Sequence, residues 1–164
     1  KTRPYHLLVC EPGVLYRSGR LAPEVLTEVI GQFGIKTVVN LKRVGENQEP
    51  WHAEEVRTTA AAGAMHLDLP MEPDTPPSPE QIETWLSLFT DPERTPVIVH
   101  CQHGVIRTGM LVALYEMEFQ GKDNQQALDE MVSFGHDLFS PSREPMREFL
   151  RTYARRGNLA PGRR

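Results

Sequence analysis

Cysteine is nearly absent from this chain, with only Cys10 and Cys101 in 164 residues. Two thiols in such unlike contexts cannot make a disulfide framework, so Cys101 needs a reason of its own. Long apolar runs are missing as well, and no segment reads as a bilayer span or as the apolar stretch of a signal peptide. Nor is positive charge in excess. A formal net charge of -4, with no Lys/Arg stripe, excludes a general nucleic-acid binder, whose affinity depends on clustered cations. The one basic cluster, Arg155, Arg156, Arg163 and Arg164, ends the chain and reads as a solvated helix end followed by a loose terminus.

What is present is the composition of a folded, soluble domain. Hydrophobic residues make up 39% and charged residues 24%, close to globular averages. The length fits one domain and one site, here residues 1–157, with 158–164 as a disordered tail. A monomer is expected. The first residue is Lys1 rather than Met, which leaves the compartment open between cytoplasm and, if a leader has been removed, a bacterial periplasm.

Local patterns alternate strand and helix. Val14 to Ser18 reads as a short strand. Pro23 then opens a helix whose apolar face is Leu26, Val29, Ile30 and Phe33, stopped by Gly34. Ile35 to Leu41 is a β-branched strand, Trp51 to Ala62 a helix, and Ala64 to Leu69 an alternating strand. Five prolines between Pro70 and Pro79 forbid regular structure and stiffen a surface loop. Ser78, with Gln81 three residues on, forms a capping box for a helix buried through Ile82, Trp85, Leu86 and Phe89. Pro96 to His100 has the apolar run of a parallel strand covered on both faces. Helices follow through Leu111 to Met117, Asn124 to Phe134 and Arg143 to Arg155. The expected fold is therefore α/β, a central and mostly parallel sheet flanked by helices, with a cysteine loop between a buried strand and a helix. Ligands of such sheets sit at the carboxyl ends of the strands, which is where Cys101 falls.

The loop after Cys101 contains Gln102, His103, Gly104, Val105 and Ile106 before Arg107. That spacing lets successive backbone N–H groups point inward as an anion nest, reinforced by the N-terminus of a helix beginning near Thr108. Arg107 adds a planar fork able to grip two oxygens. A phosphate fits this cradle, and with the cradle empty the same groups favour a thiolate nucleophile. Thr108 can offer its hydroxyl to the sulfur, and His100 can steady the loop. An inert buried cysteine would need none of these neighbours.

The segment HCQHGVIRTG resembles the signature of the cysteine-dependent tyrosine and dual-specificity phosphatases. Flanking stretches such as YRSGRLAPEVL and FGIKTVVNLK are similar to its small bacterial and atypical dual-specificity members. The resemblance implies two-step phosphoryl transfer, with Cys101 forming a phosphocysteine. Arg107 and the loop amides would hold the equatorial oxygens, and Thr108 would assist departure of the sulfur. It implies no cofactor or metal, and a phosphorylated protein as substrate. It also calls for a general acid on a mobile loop upstream, placed here on Asp74 in MEPDTPPSP, with Asp68 and then Glu72 as rivals.

Other candidates weigh less. The six histidines show no zincin spacing and scatter across elements, so no metal centre is expected. His103 is expected to shape the pocket rim. Cys10 is expected to be a plain thiol rather than a redox partner of Cys101. Lys42 and Arg43 follow a strand and either face the cleft or form a solvated turn, and Trp51 and Trp85 are expected in the core. The cysteine loop lacks the lysines often found in lipid-directed relatives, so phosphotyrosine is the preferred substrate. Phosphoserine and phosphothreonine come next. Inositol phosphates, other small phosphoesters and a non-catalytic phosphate-binding role are the alternatives.

Overall fold

Strand β1 (Leu8–Glu11) runs antiparallel to β2 (Leu15–Ser18) along one margin of a five-stranded sheet. The computed structural model describes residues 7–102, 105–134 and 136–157. Three further strands, β3 (Thr37–Asn40), β4 (Met65–Asp68) and β5 (Val97–His100), complete the order β1-β2-β5-β3-β4. All pairings after the first are parallel. Strand β5 is central and wholly buried, as its unbroken apolar run requires. The expected α/β fold is the one observed.

The helices are α1 (Pro23–Phe33), α2 (Pro50–Ala61), α3 (Pro79–Leu88), α4 (Ile106–Phe119), α5 (Asn124–Phe134) and α6 (Glu144–Thr152). Proline opens α1, α2 and α3 at the position where a missing N–H costs nothing. Gly34 closes α1 with φ of 63°, a left-handed turn that a side chain would strain. The capping box of α3 forms in full: Ser78 Oγ accepts from the Gln81 N–H, and the Gln81 side chain accepts from the Ser78 N–H.

Period-2 alternation splits the core between the faces of the sheet. Leu15, Val39, Val97 and Val99 pack beneath α3, α4, α5 and α6, whereas Tyr16, Val38 and Ile98 pack beneath α1. Trp85 is completely buried and donates its indole N–H to the Leu111 carbonyl at 2.8 Å. Trp51 departs from expectation. It lies only partly buried beside the cysteine loop, its ring under the Lys42 ammonium at 4.0 Å, because the polar end of α2 faces the site rather than the core.

Residues 136–139 and 141–143 form short 3₁₀ turns before α6, so the last helix starts at Glu144 and ends at Thr152, short of Arg155. No helix among the described residues is long and apolar enough to cross a membrane. The expected tail, 158–164, lies outside the described residues.

Candidate active site

Because the sheet is parallel, the ends of β2, β3, β4 and β5 come together along one edge. Ser18, His100, Asn40 and Asp68 form the terminal row. Cys101 follows immediately, only 3% exposed. Thr108, in the first turn of α4, donates its hydroxyl to Cys101 Sγ at 3.1 Å, a bond that strengthens as the sulfur becomes negative. Gln102, Val105 and Ile106 line the path between them, while His103 and Gly104 lie outside the described residues. Helix α4 starts at Ile106, slightly earlier than expected.

The loop is braced from two sides. Arg20 N–H donates to the Gln102 carbonyl at 3.2 Å, and Lys42 Nζ donates to the Gln102 side chain. Burial lowers the pKa of Lys42, with Glu46 opposing the shift. Arg17, from β2, reaches the Val105 carbonyl at 3.3 Å. Gly109 makes room for this: a Cβ there would stand 3.3 Å from Met131 and 3.6 Å from the Arg17 guanidinium. Lys42 thus faces the site. Arg43 instead pairs with Glu46 and Glu72 on the cleft wall.

Arg107 is held by a partner that sequence reading missed. Its Nη1 donates to Glu46 Oε1 at 2.7 Å and its Nη2 to Oε2 at 3.4 Å. Burial opposes ionisation of Glu46, but hydrogen bonds from Arg107 and from the Arg43 N–H outweigh it and hold the carboxyl at about 2. One edge of the guanidinium is thereby fixed, and among the described residues its side chain makes no other hydrogen bond. No short-range signal marks Glu46, which stands 61 residues from Arg107 in the chain.

His100 is 3% exposed. Its Nδ1 donates to the Cys101 carbonyl at 3.3 Å, and its Nε2 lies 2.8 Å from Glu55 Oε1. Glu55, on α2, also receives His66 Nε2 at 2.7 Å. Burial would raise the carboxyl of Glu55, yet the two histidines hold it at about 2.

Asp74 stands in the proline-rich loop, about half exposed, its carboxylate 2.7 Å from Arg143 Nε. Asp68 is tied down at the end of β4, accepting from Asn40 Nδ2 at 2.9 Å with His52 Nε2 also at 2.9 Å. Glu72 is exposed and paired with Arg43. Between the Arg43–Glu49 segment and the proline-rich loop lies a cleft of about 670 Å³, floored by Glu46 and walled by Pro70, Thr75, Pro76 and Gln81. Both cysteines are free, and burial pushes the Cys10 thiol up to about 12, against the pull of Arg17.

Residues 11–148 match the family model described as DSP-PTPase phosphatase fused to NAD+ kinase. Among curated proteins, the chain is 31% identical over 121 residues to the dual specificity protein phosphatase TpbA of Pseudomonas aeruginosa. That alignment covers 74% of this chain and 51% of TpbA, so the chain spans about half the length of this curated relative. Among solved structures, a TpbA variant in complex with pTyr superposes with a TM-score of 0.63 at 28% identity, covering 90% of this chain and 88% of that one. The core catalytic domain of the PP-IP phosphatase SIW14 from S. cerevisiae superposes with a TM-score of 0.73, covering 93% and 88%. At 19% identity that second likeness speaks for the fold alone.

Proposed function

The chain belongs to the family of DSP-PTPase phosphatases fused to NAD+ kinase, and from that premise we propose that it hydrolyses phosphotyrosine in proteins, and phosphoserine or phosphothreonine as well, through a phosphocysteine at Cys101. The observation that carries this reading is the hydroxyl of Thr108 donating to Cys101 Sγ at 3.1 Å, next to a guanidinium locked by Glu46. An acceptor sulfur at the mouth of a strand-to-helix loop is arranged as a nucleophile and as a leaving group.

In the first step Cys101 Sγ forms a bond to phosphorus as the ester P–O bond breaks, and Asp74 protonates the departing oxygen. The N–H groups of Arg107 and the described loop amides, those of Gln102, Val105 and Ile106, hold the equatorial oxygens. In the second step Asp74 takes a proton from water, which attacks phosphorus, and the P–S bond breaks. Thr108 then donates to the released thiolate. His100 acts through position, anchoring the Cys101 carbonyl while Glu55 anchors His100. For Asp74 to reach the substrate it must leave Arg143, whose side chain is largely buried while the carboxylate is half exposed. Asp68 is a poorer acid, because its carboxylate is already bound at the strand end.

A cysteine loop without lysines and the likeness to TpbA favour phosphotyrosine. One observation favours a second reading, a substrate with several phosphates such as an inositol phosphate. Lys42 and Arg20 both stack on Trp51, at 4.0 and 5.5 Å, immediately beside Gln102. The test is hydrolysis of an aryl phosphate in the presence of chelator, followed by rates on a phosphotyrosine peptide, a phosphoserine peptide and an inositol polyphosphate. The proposal expects turnover that vanishes in Cys101→Ser, with the phosphotyrosine peptide fastest. Full activity in that variant would refute the mechanism, and a fastest rate on the inositol compound would replace the substrate class.

A further inference from the structure

His66 and Asp68 lie two residues apart on β4, so their side chains share the sheet face that α2 crosses. Helix α2 brings His52 and, three positions on, Glu55 over that face. The result is a cluster of two imidazoles and a carboxylate, His52, His66 and Asp68. Cys101 is not a member of it. The geometry points to a binding site for one transition-metal dication of the zinc class, ligated by His52 Nε2, His66 Nδ1 and an Asp68 oxygen.

Four features support the assignment. The candidate ligand atoms all lie within 4.8 Å of one another. His52 Nε2 is 2.9 Å from both Asp68 oxygens, so the ring nitrogen and the carboxylate already converge. The His66 ring is only 8% exposed, and its Nε2 is engaged by Glu55 at 2.7 Å. That bond fixes the proton on Nε2 and leaves Nδ1 as a lone-pair donor, 3.8 Å from Asp68 Oδ1 and beyond hydrogen-bond reach. A histidine whose outer nitrogen donates to a carboxylate is the usual second layer of a metal site. Asp68 is supported in the same way, by Asn40 Nδ2 at 2.9 Å.

The donor set selects among ions. Two imidazoles and one carboxylate suit Zn²⁺ and its neighbours, whereas Ca²⁺ and Mg²⁺ require oxygen shells. Three protein ligands leave one tetrahedral position for water, which can reach the site because His52 and Asp68 are partly exposed. To ligate through Nε2, His52 carries its proton on Nδ1 in the bound state. Zincin-type spacing rules miss the site because its ligands come from a helix and a strand fourteen or more residues apart in the chain.

The test uses Cys101→Ser protein, stripped with chelator and freed of it, so that the loop thiol cannot contribute. Titration with Co²⁺ alone is expected to give a ligand-field absorption without a thiolate charge-transfer band, saturating at one ion per chain and displaced by Zn²⁺. His52→Ala and Asp68→Asn are each expected to weaken binding at least tenfold and to abolish the rise in Tm that Zn²⁺ produces. A second readout does not depend on those variants: ¹⁵N resonances of His52 and His66 are expected to move on adding Zn²⁺. The proposal is overturned if binding is not saturable, if a thiolate band appears, if both variants bind as tightly as their parent, or if neither histidine responds. None of these outcomes bears on phosphatase turnover, so the two readings fail separately.

Discussion

Glu46→Gln and Glu46→Ala form a graded test of how Arg107 is held. Arg107 is 8% exposed, so its guanidinium depends on protein partners more than on water. Gln keeps an acceptor near Nη1 but loses the charge. Since charge-assisted hydrogen bonds are roughly twice as strong as neutral ones, about 1–1.5 kcal/mol of restraint disappears. Ala removes the whole interaction, about 1.5–3 kcal/mol for hydrogen bonds to a charged group. At about 1.4 kcal/mol per factor of ten, kcat/KM should fall about tenfold in the Gln variant and about ten- to a hundredfold in the Ala variant. The assay is steady-state hydrolysis of an aryl phosphate, read together with the inhibition constant of inorganic phosphate or vanadate. Loss of oxyanion affinity should follow the loss of kcat/KM, because both report the same fork. If both variants keep wild-type kcat/KM and oxyanion affinity while Arg107→Ala loses them, Glu46 is not what positions the arginine.

Asp74→Asn is expected to lower kcat by about 10²–10⁴-fold while oxyanion affinity is retained, and a normal rate would transfer the acid role to Asp68. Ser78→Ala removes one half of the capping box and should cost about 1 kcal/mol of stability, measured by denaturant titration. The Glu46–Arg107 pair also predicts an acid response. The folded carboxyl sits at about 2 against an ordinary value of 4.5, so its contribution is complete above pH 4.5 and drains away as pH falls toward 2. Stability against pH should therefore be flatter in Glu46→Gln than in the wild type over that window, and parallel curves would contradict the assignment.

Much of the fold could be read locally because its signals are local. Pro23 and Gly34 bracket α1, Ser78 and Gln81 announce α3, and the apolar run before Cys101 marks the central strand, covered on both faces. Strand β1 carries no such local signal, because Leu8–Glu11 is a short margin strand with its first two residues exposed. Its existence depends on pairing with β2 rather than on its own pattern. The same division holds at the site. Cys101, Arg107 and Thr108 fall within one short stretch of chain, from the end of β5 into the first turn of α4, and are legible together. Glu46 and Glu55 reach Arg107 and His100 across 61 and 45 residues, and Arg143 reaches Asp74 from beyond α5. Trp51 was misplaced for a related reason, since helical spacing gives the face a residue shares but not what lies opposite it.

The most direct test of the central claim is the intact mass of protein quenched in acid during turnover of an aryl phosphate. The account predicts a population heavier by one phosphoryl group, the label mapping to Cys101 and vanishing in Cys101→Ser. Turnover with no such species under conditions that trap a thiophosphate ester, or a label on any other residue, would contradict it.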